Sequence, residues 1–206
     1  MNLDQDVSVR RGRPKSEEKR EQIRSAAAHL FMTEGFERTS MDSIANQAGV
    51  SKQTVYSHFA NKDELFRTCI IGKVEEYELN LNTEDSLGLE EGLARLAKGY
   101  LDLISDDRAM AMWRLLIGGA TTHQYMANAF YESGPGATHE SLARFLGVHG
   151  EQLSTDDYEE AARTFVALVL GQHQTRIMLG LEEEVPPSER DEQARRAIEQ
   201  FFAVYR

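Results

Sequence analysis

The chain has 206 residues, 41% of them hydrophobic and 28% charged, with a net charge of −11 at pH 7. That composition supports a substantial core and excludes an intrinsically disordered protein. No apolar run approaches the ~18 residues needed to span a bilayer, the stretch Phe165 to Leu170 being closed by Gly171. Asp4 and Asp6 stand where a signal peptide needs an apolar core, and a single cysteine, Cys69, excludes an internal disulfide framework, so the expected location is the cytoplasm. Cys69 itself reads as a buried small hydrophobe, with a redox-sensing thiol as the minority reading.

In chain order, residues 1–15 read as a flexible basic arm ending in Arg10-Arg11-Gly12-Arg13-Pro14-Lys15. Two readings stand: a solvated tail, or an arm whose Arg11 and Arg13 enter a DNA minor groove, where narrow A·T tracts concentrate negative potential. Ser16 is placed to cap the first helix, with Glu17 and Glu18 in the first turn, where the helix dipole favours acids. Ile23, Ala26, Ala27, Leu30 and Phe31 form its inner stripe. Gly35 stops it, and Phe36 is placed to fold back on Phe31.

Residues 39–65 are the most informative. Met41, Ile44, Ala45 and Ala48 fall at i, i+3, i+4 and i+7, the buried stripe of a short amphipathic helix. Gly49 supplies a left-handed turn, and Ser51 caps a second short helix whose Val55 and Phe59 turn inward. Lys52, Gln53, Thr54, Tyr56, Ser57 and His58 are left facing outward or sideways, nearly all of them donors sized for phosphates or base edges. This is a helix-turn-helix. Charge agrees with it: residues 10–62 hold ten Lys/Arg against six Asp/Glu, whereas residues 63–206 hold thirteen against twenty-six. An acidic body repels DNA and turns the basic head toward the duplex; solubility alone explains the acidity but not the polarity.

Asn61-Lys62-Asp63-Glu64 reads as a capping box for a fourth helix that runs to about Leu81 and connects this head to the body, so that tilting it moves the head. Five further helices are expected near 86–105, 107–132, 137–150, 155–181 and 188–206. The fold class is all-α with about nine helices: no segment sustains strand alternation, and there is no internal repeat. The last two helices carry broad apolar faces, Ala161, Phe165, Leu168, Val169 and Gln172 on one and Ala194, Ile198, Phe201, Phe202 and Tyr205 on the other. Such a pair completes a core or forms a symmetric four-helix interface.

In the body, Tyr77, Tyr100, Leu103, Met110, Trp113, Arg114, Ile117, Thr121, Tyr125, Phe145 and Phe165 suit either an organic-ligand cavity or ordinary core. Arg114 points to an anionic ligand or to a salt bridge. The histidines at 29, 58, 123, 139, 149 and 173 are scattered without cysteine support, so neither metal nor cofactor is expected. With no Gly-rich phosphate loop, nucleophile elbow or metal cluster, an enzyme is the remote alternative.

The stretch from Arg13 to Phe66 resembles the N-terminal domain of the TetR family of transcriptional regulators. The resemblance rests on Ala26-Ala27 through Phe31, Glu34-Gly35-Phe36, Thr39-Ser40, Ile44-Ala45, Ala48-Gly49-Val50-Ser51-Lys52, Val55-Tyr56-Ser57-His58-Phe59 and Asn61-Lys62-Asp63-Glu64-Leu65-Phe66. Gln53 departs from it, many members having glycine there. In the body, Trp113 to Ile117 and Ala161 to Phe165 resemble the AefR-type branch. The resemblance implies a basic arm at 1–15, a DNA-binding domain at 16–62 and a ligand-binding, dimerising domain at 63–206.

It further implies a homodimer paired through Ala161, Phe165, Leu168, Val169, Gln172, Ile198, Phe201, Phe202 and Tyr205, on a palindromic operator with half-sites ~34 Å or a multiple apart. Thr39, Ser51, Lys52, His58 and Lys62 would hold phosphates, and Gln53, Thr54, Tyr56 and Ser57 would meet base edges. Tyr56 has a competing role packing beside Phe59, and His58 one in ending its helix. The function expected is a repressor released by a small organic effector; the alternative is a regulator controlled by a protein partner.

Overall fold

The structure, a computed structural model, describes residues 14–81, 87–121 and 124–206. The arm with Arg11 and Arg13 lies outside them. The described residues are all-α: α1 (Pro14–Glu34), α2 (Met41–Ala48), α3 (Lys52–His58), α4 (Lys62–Glu76), α5 (Leu89–Ile104), α6 (Asp107–Gly119), α7 (Gln124–Ser133), α8 (Pro135–Val148), a 3-10 turn at Gly150–Gln152, α9 (Tyr158–Leu170), α10 (His173–Met178) and α11 (Pro187–Tyr205). The chain divides into two compact units, one ending at Phe66 and the other starting at Arg67.

Two expected helices are each broken in two, which turns about nine helices into eleven among the described residues. The 107–132 segment stops at Gly119, after a Gly118-Gly119 pair that is costly inside a helix. The 155–181 segment stops at Gly171, which takes φ 48° and ψ −135°, a region that essentially excludes residues with a β-carbon. The fourth helix ends at Glu76 rather than near Leu81. There Leu79 N–H donates to Val74 O at 2.9 Å and Glu78 N–H to Glu75 O at 3.1 Å, a Schellman stop whose left-handed position, φ 52°, is held by Glu78 and not by glycine.

In the N-terminal unit, Phe31, Phe36 and Phe66 form a closed triangle of rings with centroids 5.3–5.6 Å apart, joined by fully buried Ile23, Ile44 and Leu65. Gly35, at φ 83°, is what returns Phe36 onto Phe31. In the C-terminal unit, α8 packs on α9, and α11 on α5 and α9. Their shared core includes Leu93, Leu96, Leu101, Phe145, Phe165 and Phe201.

Candidate functional site

The helix-turn-helix is fixed by caps at each of its corners. Ser40 Oγ accepts from Ser43 N–H and Ser43 Oγ accepts from Ser40 N–H, both at 3.0 Å, which starts α2 with its end donors satisfied. Gly49, at φ 66° and ψ 31°, ends it, and Val50 N–H returns to Ala45 O at 3.0 Å. Ser51 Oγ accepts from Thr54 N–H at 3.1 Å and starts α3. Val55 and Phe59, 0% and 1% exposed, pin that helix inward.

The opposite face is solvent-facing. Lys52, Gln53, Tyr56 and Ser57 are exposed, and Thr54 and His58 are half-buried. Ser51 and Thr54 share a hydroxyl–hydroxyl bond of 2.8 Å, and Ser57 Oγ donates to Thr54 O at 2.7 Å. The Gln53 side chain makes no hydrogen bond among the described residues, so its whole amide remains available for bidentate pairing with a base edge. Lys52 is held 2.7 Å from Asp42 of α2, and that carboxylate, by hydrogen bond and charge, raises the lysine above its ordinary range.

Two expected phosphate anchors, Thr39 and Lys62, have hydrogen-bond partners within the chain. Thr39 is 2% exposed and donates its hydroxyl to Gly35 O at 2.8 Å. Lys62 donates to Phe36 O at 2.7 Å, Thr39 O at 2.9 Å and Glu37 O at 3.5 Å, and lies 4.2 Å from the centroid of the Phe36 ring. Its two short bonds, to Phe36 O and Thr39 O, tie together the α1–α2 connection. Arg20 is a positioning residue that pattern reading overlooks: it donates to His58 O at 3.2 Å and lies 4.5 Å over the Phe59 ring, holding the end of α3.

The body brings some of its candidates together and leaves others outside. Tyr100, Met110, Phe145 and Phe165 are buried in one core, with Tyr77, Leu103 and Trp113 packed against it. Arg114, Ile117, Thr121 and Tyr125 are exposed, so they do not line that core. Arg114 donates to Ile177 O at 2.6 Å and Met178 O at 3.3 Å, satisfying carbonyls at the end of α10, and forms no salt bridge among the described residues. Tyr77 donates to Asp106 at 2.7 Å, beside Lys73 at 3.0 Å from the same carboxylate. Cys69 is buried. Among the described residues, no group of three His, Cys, Asp or Glu is placed to hold a metal, and no helix is long and apolar enough to cross a membrane.

The residues of the expected pairing face differ in how much surface they keep within one chain. Ala161, Phe165, Val169 and Phe201 are 0% exposed within one chain, and Ile198 9%, so little of their area is left to bury on association. Leu168, Phe202 and Tyr205 are half-buried, Gln172 is exposed, and Val204, which pattern reading misses, is 65% exposed.

Residues 91–206 match the C-terminal domain of AefR-like transcriptional repressors, and residues 23–69 match the bacterial regulatory proteins of the tetR family. The HTH-type transcriptional regulator SrpR of Pseudomonas putida is 28% identical over 109 residues, 53% of this chain and 50% of SrpR. The HTH-type transcriptional regulator TtgR, also of Pseudomonas putida, is 40% identical over 98 residues, 48% of this chain and 47% of TtgR. The chain thus spans about half the length of these curated relatives. Among solved structures, the flavonoid-responsive regulator FrrA is 34% identical with a TM-score of 0.71, covering 92% of this chain and 98% of FrrA. A regulator from Mesorhizobium loti assigned to the same family is 28% identical, with a TM-score of 0.71 over 93% and 98% of the two chains. With its helix-turn-helix and its matched C-terminal domain, the chain belongs to the TetR family of bacterial transcriptional regulators, DNA-binding proteins and not enzymes.

Proposed function

We propose that this regulator is a cytoplasmic homodimer that represses transcription from a palindromic operator and is released by a small organic effector. The observation that carries the DNA half is the outward face of α3, where Gln53 and Tyr56 are exposed, the latter beneath the Lys52 ammonium, on a helix pinned by Val55 and Phe59. Gln53 and Tyr56 meet base edges, with Thr54 and Ser57 beside them. Ser51, Lys52 and His58 hold the flanking phosphates, and Arg11 and Arg13 follow the minor groove. Repression accords with the match to AefR-like repressors, and two-fold pairing uses Leu168, Gln172, Phe202, Val204 and Tyr205, which keep surface to give.

The effector half draws on FrrA, whose name describes a flavonoid-responsive regulator. A partly aromatic core with Tyr77, Tyr100, Trp113, Phe145 and Phe165 suits a planar organic molecule of that kind. Such an effector acts only through different affinities for the DNA-bound and released forms.

Fluorescence anisotropy on DNA flanking the protein's own gene tests this reading. Binding that survives random competitor, weakens steeply with salt and is reversed by an aromatic effector supports it. A genome-wide binding search that finds no specific site overturns it.

A further inference from the structure

Buried hydroxyls are few in this protein. Among the described residues, the buried polar side chains are Thr39, Thr138 and Ser141, to which Tyr100 adds a phenol, and no charged residue is buried as a whole, although the Nε of Arg95 is. Three of these four hydroxyls are satisfied within the chain. Thr39 Oγ1 donates to Gly35 O at 2.8 Å and Thr138 Oγ1 to Gly134 O at 3.2 Å. Ser141 Oγ donates to Leu81 O at 3.0 Å and accepts from Leu81 N–H at 2.9 Å.

Tyr100 is the exception. The residue is 7% exposed, and its Oη is buried without a hydrogen-bond partner. Burial pushes the hydroxyl up from its ordinary range; Thr138 on α8 is near enough to oppose that slightly, but not in the geometry of a hydrogen bond. A buried donor left unpaired costs the full desolvation of the group, so folds rarely keep one without a use.

The surroundings say what that use accepts. Gly92 of α5 meets the Phe145 ring of α8, and Tyr100, two turns further along α5, meets Thr138, two turns back along α8. Leu96 of α5 and Leu142 of α8, both 0% exposed, belong to the same apolar core. An ionised ligand placed there would be buried without a counter-charge, which is strongly unfavourable. Arg114, the cation that the sequence offers for an anion, is exposed and committed to the carbonyls of Ile177 and Met178. A neutral molecule with an oxygen acceptor meets both conditions.

We propose that Tyr100 Oη is the polar anchor of the effector site, donating to a carbonyl or phenolic oxygen of a neutral, ring-bearing organic molecule otherwise enclosed by apolar side chains. This rests on the effector-responsive reading above and narrows it: the site reads one oxygen and rejects anions.

The test uses the full-length protein and Trp113, the single tryptophan of the chain, as a fluorescence reporter. The probes are quercetin, unsubstituted flavone and 2-phenylnaphthalene, three-ring molecules of which the last carries no oxygen. The wild type is expected to bind the two oxygenated probes roughly tenfold or more tighter than the hydrocarbon. Tyr100→Phe is expected to erase that preference by weakening the oxygenated probes alone. Without any probe, Tyr100→Phe is expected to melt at the wild-type temperature or a few degrees higher, since it removes an unpaired donor. A lower melting temperature would show that a fixed water already satisfies the hydroxyl, and would overturn the proposal. So would equal affinity of the two proteins for quercetin and flavone, or a wild type that binds neither. Probe binding with the expected preference but without release of operator DNA keeps the anchor and sinks the effector-responsive reading. Release that Tyr100→Phe leaves unchanged does the reverse.

Discussion

Gly99 stands so close to the backbone carbonyl of Tyr77 that a β-carbon on it would lie 2.1 Å from the oxygen, with Leu79 Cδ2 at 3.0 Å. Carbonyl oxygens cannot rotate aside as a side chain does, so the contact sets how closely α5 approaches the chain that follows α4. Gly99→Ala is therefore expected to destabilise the body by about 3 kcal/mol or more, a fall in Tm of roughly 6–12 °C at two to four degrees per kcal/mol. Gly118 on α6 provides the control, because nothing lies within 4 Å of its β-carbon position. Gly118→Ala is expected to stabilise by up to about 1 kcal/mol through helix propensity alone. Equal Tm values for the two variants would show that α5 moves freely against Tyr77.

Two lysines of the head that look alike in sequence are expected to separate under salt titration. Lys52 is exposed and paired with Asp42 across α2 and α3. Exchanging that carboxylate for a phosphate releases a counterion, so Lys52→Ala is expected to lower the slope of log K against log salt by about one, with the fold intact. Lys62 donates to the carbonyls of Phe36, Glu37 and Thr39. Lys62→Ala is expected to cost the head about 1–3 kcal/mol of stability by orphaning those oxygens, and to leave the salt slope of the folded fraction unchanged. Operator titrations at several salt concentrations, paired with thermal melts, decide it; a lower slope for Lys62→Ala would restore it as a phosphate anchor.

The same pair shows where pattern reading succeeds and where it stops. Caps and stripes are local, so Gly49, Ser51, Val55 and Phe59 declare their roles within a few residues of chain, and α3 follows from them. The fate of a long cation depends on what folding brings to it from 23 to 26 residues away, as the Lys62 bonds to Thr39 and Phe36 do. Arg114 reaches 63 residues along the chain to Ile177. Helix ends in the body are harder for a related reason: Gly171 breaks a strongly apolar run with a single conformation that periodicity does not encode. Among the apolar residues of α9 and α11, periodicity names the face but not its burial, which is why it passes over Val204 and offers Phe201 for pairing.

The stop after α4 holds a side chain where glycine is favoured. Glu78 takes φ 52°, and the hydrogen bonds around it are those of a Schellman motif. A left-handed residue with a β-carbon costs roughly 1 kcal/mol over glycine. Glu78→Gly is expected to recover most of it, less the greater entropy of glycine in the unfolded chain, for a net gain of a few tenths to about 1 kcal/mol. Chemical denaturation at neutral pH measures this directly. A loss of stability would mean that the Glu78 side chain makes a compensating contact.

Asp106 caps α6 by accepting from Arg108 N–H at 2.7 Å, while Lys73 and Tyr77 reach it from the end of α4 and the residue just beyond. Partial burial pushes its carboxyl up, but the Tyr77 hydroxyl, the Lys73 ammonium and the Arg108 N–H outweigh that and hold it below its ordinary 3.8. Partial burial pulls Lys73 down, but Glu76 and Asp106 outweigh it and leave the ammonium above its ordinary 10.5. Burial and Asp106 push the Tyr77 hydroxyl up, so it stays protonated as donor. A depressed carboxyl stabilises the fold above its unfolded value and loses that contribution as pH falls through its folded value. A raised ammonium stabilises below its unfolded value and loses its share as pH rises through its folded value. The cluster is thus fully stabilising between 3.8 and 10.5. Asp106→Asn keeps the cap through its one amide oxygen but removes the charge and turns the oxygen that accepts from Tyr77 and Lys73 into an amide donor. It is expected to cost about 1 kcal/mol after solvent screening, constant between about pH 5 and 9 and shrinking on either side. Urea denaturation of both proteins across that range and below it, down to about pH 3, checks it; a difference that does not shrink below about pH 5 would mean that packing at Asp106, and not its charge, fastens α6 to the end of α4.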